Sequence, residues 1–456
     1  MKNILIKILS MFVAIGLLTS CDLYDNLEAE PQQSLSDATA ITNETDAEAA
    51  LVGTYAALNQ DGYYGRMQVI WGPTQFIYLG STTSTTRAST FDAELNNVNP
   101  ADNTLLGTWD DIYELANRAS NVIVSVEQIE GASFGVAARK NEIIAEARFL
   151  RALAHFDALR FYGRFWDLTS DQGIPLRLVP GNTSNKDLPR STVAETYASI
   201  IEDLDFAIAN GPAFSSSFRA SADAARALKA RVALYSEDFA TAISLVDEVV
   251  PNFTLEANYA DIFTNRLSSS ELIFGMFANA TVEQSGHAFF FLSQASGGRQ
   301  DYGPTAAFLS LVNGDPREAA IVNATVPEVV KYPNISTQDD PTYIIRLAEL
   351  HLIKAEALAR QSATNLPQAI AELAIVQNRA GVANSTATTV NGFLDDLQNE
   401  KVIELSFEGS HSWFDAIRLG NARTLKSTIA TDDRLLLPIP QSEIDTNASL
   451  GQNPSY

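Results

Sequence analysis

A mostly α-helical fold built from paired helices is predicted by three features of this sequence. Apolar residues recur at helical spacing over long stretches, small residues populate two alanine-rich helix pairs, and caps and glycines mark where helices begin and end. Composition permits such a fold. Of 456 residues, 46% are hydrophobic and 19% charged, enough to bury one large core or about three small ones. No linker long enough to separate domains interrupts the chain.

The first 20 residues form a unit of their own. Lys2 and Lys7 precede an apolar run from Ile8 to Leu18, and Thr19 and Ser20 lead to Cys21, the three-part pattern of a secretory signal. The apolar run is shorter than the roughly 20 residues a membrane-spanning helix needs. Leu18-Thr19-Ser20-Cys21 resembles the bacterial lipobox, which implies diacylglycerol on the Cys21 sulfur and cleavage before it. Cys21 is the sole cysteine, so disulfides are excluded. The expected product is a chain anchored by lipid at Cys21, with residues 21–40 as a polar tether.

The helices follow in order. From Glu142 to Tyr162, Ile143, Ala147, Leu150, Ala154 and Ala158 recur at spacings of three and four, which predicts one apolar face, and Gly163 stops the helix. Thr192-Val193-Ala194-Glu195 has capping-box spacing, and Gly211-Pro212 closes the helix it opens. The stretches Ala222–Val250 and Tyr343–Ala380 each read as a helix pair of tetratricopeptide type, their small residues allowing close approach. They lie too far apart for a tandem array. Two segments, about 61–103 and 251–341, are rich in Gly, Ser, Thr, Asn and aromatics, and loops on a rigid scaffold are where binding groups concentrate.

Charge and motif content exclude several functions. Cleavage before Cys21 removes two lysines and no carboxylates, leaving 29 basic against 55 acidic residues, a net of −26. Nucleic acid is therefore not an expected partner, and a neutral ligand is favoured over a polyanion. The four histidines, His155, His287, His351 and His411, include no pair at metal-ligand spacing, so neither a metal nor another cofactor is expected. No Gly-x-Ser-x-Gly elbow or phosphate-binding loop occurs, and nothing singles out a pair of carboxylates for glycoside hydrolysis. The sequence reads as that of a binding protein without enzymatic activity.

Five stretches resemble the SusD/RagB family. They are Glu146-Ala147-Arg148-Phe149-Leu150-Arg151-Ala152-Leu153 with Phe161-Tyr162-Gly163; Tyr343-Ile344-Ile345-Arg346-Leu347-Ala348-Glu349 with Lys354-Ala355-Glu356-Ala357; Gln377-Asn378-Arg379-Ala380-Gly381; Glu404-Leu405-Ser406-Phe407-Glu408-Gly409 with Trp413-Phe414-Asp415; and Leu437-Pro438-Ile439-Pro440 with Glu443 and Gln452-Asn453-Pro454. The resemblance implies a mostly helical SusD-like fold, with tetratricopeptide-like pairs as a scaffold beneath a loop-rich ligand-binding face. It divides residues 41–456 into halves at about 41–215 and 255–456. It also implies a SusC-like TonB-dependent partner over which the lipoprotein acts as a lid, and delivery of glycan to that partner. Asp22, Asp25 and Glu28 after the cysteine resemble the acidic signal that sends such lipoproteins to the exterior of the outer membrane. Glu146, Arg148, Arg151, Arg346, Glu349, Glu408 and Trp413 are expected to serve fold or partner contact and not ligand choice.

Sugar recognition needs flat apolar faces and planar polar groups. Trp109, Trp166 and Trp413 fall in helix or signature contexts, which leaves Trp71 as the first ligand candidate, with Tyr63, Tyr64, Tyr78 and Arg87 in the same segment. Arg299, Gln300 and Tyr302 follow on a Gly-flanked loop before Pro304. The run Phe289-Phe290-Phe291 is set aside because consecutive side chains point to different faces. The expected ligand is an oligosaccharide; the alternatives are a peptide, as the RagB branch implies, or a helical adaptor with no small ligand.

Overall fold

The structure is a computed structural model that describes residues 41–82, 92–182 and 184–456. The leader, Cys21, the tether and Arg87 lie outside the described residues. Helices dominate. They are α1 (Glu44–Ala56), α2 (Asn103–Gln128), α3 (Ala137–Tyr162), α4 (Val193–Asn210), α5 (Ala222–Tyr235), α6 (Phe239–Val249), α7 (Leu347–Gln361), α8 (Leu366–Ala380), α9 (Val390–Glu404), α10 (His411–Arg418) and the short α11 (Gln441–Thr446), among shorter turns. Neighbours pack pairwise from α2 on α3 through to α7 on α8, and α9 packs on α7.

Caps set these boundaries. Asp102 accepts from the Thr104 and Leu105 amides ahead of α2, Ser221 from Ala224 ahead of α5, and Asp238 from Thr241 ahead of α6, each satisfying donors that have no intrahelical partner. The capping box forms as the spacing predicts: Thr192 accepts from the Glu195 amide and Glu195 from that of Thr192. Gly381, at φ 74°, ends α8 in the left-handed conformation that favours glycine.

Two expectations change. Residues 143–162 of α3 are buried on every side except at Arg148, not along one face, because α1, α2, α4 and α5 surround the helix. Its polar residues are accordingly paired. Arg151 grips Asp203 through Nε and Nη2 at 2.7 Å each, and Asp157 accepts the Tyr63 and Tyr64 hydroxyls at 2.6 and 2.8 Å. Second, Tyr343–Arg346 does not begin a helix. The run Thr342–Arg346 is a strand, β4, paired antiparallel with β2 (Leu272–Met276), from Leu272 opposite Arg346 to Met276 opposite Thr342. Its β-branched and aromatic side chains suit a pleated, doubly buried strand.

Where β4 meets α7, a buried ionic network forms. Arg346 donates to Glu408 from Nε at 2.6 Å and Nη2 at 2.9 Å, to Glu404 at 3.0 Å, and also pairs with Glu271. Arg379 joins Glu271 at 2.7 Å and pairs with Glu404; Arg317 reaches Glu404 at 3.0 Å and Asp315 at 2.8 Å; Lys331 donates to Glu408 at 2.6 Å. Burial raises the Glu404 carboxyl, but the guanidinium groups of Arg379, Arg346 and Arg317 outweigh it and hold the group down at about 2.

Two outcomes follow for stability. Arg346→Ala, which takes one cation from each of three buried carboxylates, lowers unfolding free energy by about 3–5 kcal/mol, whereas Arg226→Ala, whose partner Glu248 is half exposed, changes it by about 0–1 kcal/mol; urea titrations compare the two. A carboxyl lowered from 4.5 to about 2 on folding gives stability that is present above pH 4.5 and lost as pH falls through 2. The urea midpoint therefore declines from pH 5 to pH 3, and a flat profile there contradicts the assignment.

Candidate ligand-binding face

A short strand pair joins the two loop-rich segments. β1 (Leu79–Ser81) runs antiparallel to β3 (Tyr302–Pro304), with Leu79 opposite Pro304 and Ser81 opposite Tyr302. The pairing continues on both sides: the Thr82 amide donates to the Asp301 carbonyl at 2.8 Å, and the Thr305 amide to that of Tyr78 at 3.1 Å. Residues more than 200 positions apart thus share one edge.

Tyr78 flanks one end of this ladder, beside Thr305, and Arg299 and Gln300 flank the other, beyond Thr82. Tyr78 is half-buried, its ring edge-on to Phe76 at 5.1 Å and Phe308 at 5.8 Å. Burial raises its phenol, and its hydroxyl makes no hydrogen bond among the described residues. Arg299 keeps 41% of its side chain exposed while Nε donates to Asp301 at 2.6 Å. Its guanidinium lies 5.1 Å from the rings of both Phe289 and Phe290. Gln300 has φ 54°, a left-handed conformation uncommon for a side-chain-bearing residue. Bonds from Thr82 to the Gln300 carbonyl and from Gln300 Nε2 to the Pro327 carbonyl (2.7 Å for the second) hold it. Such strain persists where surrounding contacts over-determine it, and it concentrates at functional sites.

Other candidates belong to the core. Trp71 is fully buried, its indole N–H donating to Thr108 Oγ1 at 2.8 Å. Beside it Gly72 packs so tightly on Ser410 that a Cβ would come within 2.2 Å of it. This seating against the Glu408–Trp413 signature explains why a loop-rich sequence neighbourhood misplaced Trp71. Tyr302 is buried beside Phe290 and Phe291 because its strand position turns inward. Tyr63 and Tyr64 are buried on Asp157. Conversely, Phe289, set aside in the sequence, is half-buried while Phe290 and Phe291 are buried. The helical turn His287–Phe291 rotates successive side chains by about 100°, so one ring of the three faces outward.

Apart from the half-buried Arg148, the signature residues are buried, and the charged ones are paired: Glu146 holds Arg139 and Arg219, Arg231 grips Glu349 at 2.6 Å, and Trp413 packs 5.8 Å from Phe76. Among the described residues no group of three or more His, Cys, Asp and Glu is placed to hold a metal ion. Burial pushes His155 and His287 down to about 3 and His411 to about 4, so all three are neutral at pH 7 and sequestered.

A helical scaffold presenting aromatic and planar polar groups on its loops is the architecture of a ligand-binding protein. Two SusD-type family models match the chain: one described as "SusD family" matches residues 313–456, and one described as "Starch-binding associating with outer membrane" matches residues 25–234. It is 27% identical to SusD-like protein P38 of Formosa agariphila over 100% of this chain and 99% of that one, and 25% identical to a SusD-like protein of Bacteroides ovatus over 86% and 78%. Among solved structures, a SusD superfamily protein of Bacteroides thetaiotaomicron superposes with TM-score 0.77 at 25% identity, covering 91% of this chain and all of that one. A laminarin-binding SusD-like protein superposes with TM-score 0.79 at 22% identity, over 91% and 100%, which shows the shared fold.

Site and core separate in a melting experiment. Trp71→Ala removes a fully buried indole and costs about 3–5 kcal/mol, and Tyr302→Ala likewise lowers the melting temperature; Tyr78→Phe, which removes a hydroxyl without an internal partner, leaves it unchanged.

Proposed function

We propose that this protein captures oligosaccharide or polysaccharide on the β1–β3 face and passes it, without covalent chemistry, to a SusC-like TonB-dependent barrel. The observation that carries the reading is the strand pair itself. It holds Arg299 and Gln300 at one end, with Phe289 packed on Arg299, and Tyr78 at the other, and these groups offer apolar rings for the C–H face of a pyranose and planar polar groups for its hydroxyls. The SusD fold, the starch-binding description of the family model and the laminarin-binding neighbour support a glycan as the ligand.

Lipid on Cys21 is the proposed anchor, with residues 21–40 as tether and residues 41–456 as one unit facing the cell exterior. The lipobox-like Leu18-Thr19-Ser20-Cys21 supports this, as does the family model's outer-membrane association. Among the described residues no helix is long and apolar enough to cross a membrane, so attachment falls to the lipid.

Binding of the detergent-solubilised full chain to β-glucans, α-glucans, fructans, chitin oligomers, alginate and peptides tests the reading. One neutral glycan is expected to bind selectively, and Phe289→Ala to weaken it about tenfold with an unchanged melting temperature, since stacking contributes on the order of 1 kcal/mol. Binding to peptides alone moves the protein to the peptide-capturing branch; binding to a protein partner with no small ligand makes it an adaptor.

A further inference from the structure

A concavity of about 520 Å³ lies between α2 and α11, within the range of sites that hold small ligands. One wall is α2, where Trp109 and Tyr113, one turn apart, pack with ring centres 4.5 Å apart. Asp110 lies beside them, Glu443 of α11 faces it, and Arg177 and Lys186 come from the segment between α3 and α4.

The polar groups in this cleft are under-used. Neither the Asp110 nor the Glu443 carboxylate accepts a hydrogen bond from any described residue. The Arg177 guanidinium donates only to Asn185, at 3.1 and 3.3 Å, and has no carboxylate partner among the described residues. Behind Trp109, with ring centres 4.9 Å apart, Tyr162 is fully buried and its hydroxyl has no partner among the described residues. Burial, then Glu443 and Asp111, raise the Asp110 carboxyl to about 6, so the carboxylates repel one another with no cation between them.

The cleft and the face are linked through one turn. Asp111 accepts the Gly62 amide at 2.8 Å; the neighbouring Asp61, exposed, pairs with Arg66; and the Arg66 guanidinium lies 4.4 Å from the Phe290 ring, against which Arg299 also packs. This series of contacts connects the face to the turn of α2 that carries Asp110 and Asp111.

We propose that this cleft is a second subsite for the same glycan chain, one that accepts neutral sugars and rejects chains bearing uronate or sulfate. The inference rests on glycan capture at the β1–β3 face. Unpaired carboxylates accept hydrogen bonds from sugar hydroxyls and Arg177 donates to them, while the half-buried Tyr113 ring, backed by Trp109, offers an apolar wall. Four carboxylates line the cleft, Asp110, Asp111, Glu114 and Glu443, against two cations, Arg177 and Lys186, so an anionic sugar meets net repulsion. Occupying both subsites at once makes affinity depend on chain length.

Calorimetry on the detergent-solubilised full chain, with neutral oligomers of the glycan found to bind and uronate oligomers of matched length, tests this. The protein is expected to bind a neutral decamer at least tenfold more tightly than a trimer. In an Asp110→Ala/Glu443→Ala variant, which removes no internal hydrogen bond, that advantage collapses towards one and the preference for neutral over uronate decamers narrows. A variant with undiminished length dependence and neutral preference overturns the second subsite while leaving capture at the first intact. Absence of glycan binding to the unaltered protein overturns both. A second variant, Tyr113→Leu, keeps the apolar volume but loses the ring and is expected to flatten length dependence as well.

Discussion

The buried guanidinium of Arg346 is the point on which the architecture depends. It stands where β4 becomes α7, and its contacts reach Glu271 before β2, Glu404 at the end of α9 and Glu408 in the turn beyond. Arg317, Arg379 and Lys331 complete a cluster of four cations facing Glu271, Asp315, Glu400, Glu404 and Glu408. Desolvating so many charges contributes little net stability compared with apolar packing, but each charge is expensive to leave unpaired. The cluster therefore penalises any arrangement of these segments other than the one that pairs them all.

That constraint extends to the proposed binding face. Lys331, fixed by Glu408, also donates to the Ser406 carbonyl, and the adjacent Tyr332 hydroxyl donates to that of Phe407 at 2.7 Å. The Tyr332 ring stacks on Phe291, which packs against Tyr302 in β3. From Tyr302 the path runs to Asp301 and its ion pair with Arg299. The exposed groups of the face thus stand on a continuous series of buried contacts that begins in the ionic core, the preorganisation that lowers the ordering cost of binding.

Much of the scaffold was legible in the sequence because its signals are local. A capping box at Thr192, a helix-stopping glycine at Gly163 and the helical spacing within α3 act through residues a few positions apart. The signature residues were recognisable as scaffold because buried Arg and Glu require partners. The site was less legible. Tyr78, Arg299 and Gln300 reached the face, but Trp71 and Tyr302 went inward and Phe289 came outward, while Arg87 lies outside the described residues. Side-chain direction at these positions is set by what packs behind them, and nothing adjacent in sequence reports that.

By itself, then, the sequence determined the helical class, the helix ends, the family-like signatures and the acidic balance, all of which follow from local periodicity, backbone capping and composition. Only the tertiary structure decided that residues 342–346 are a strand, that α3 is enclosed on all sides and that the two loop-rich segments meet through β1 and β3. It alone brought Asp110 of α2 and Glu443 of α11 to one cleft. These outcomes depend on contacts between residues tens to hundreds of positions apart, where burial and ion pairing override local preference.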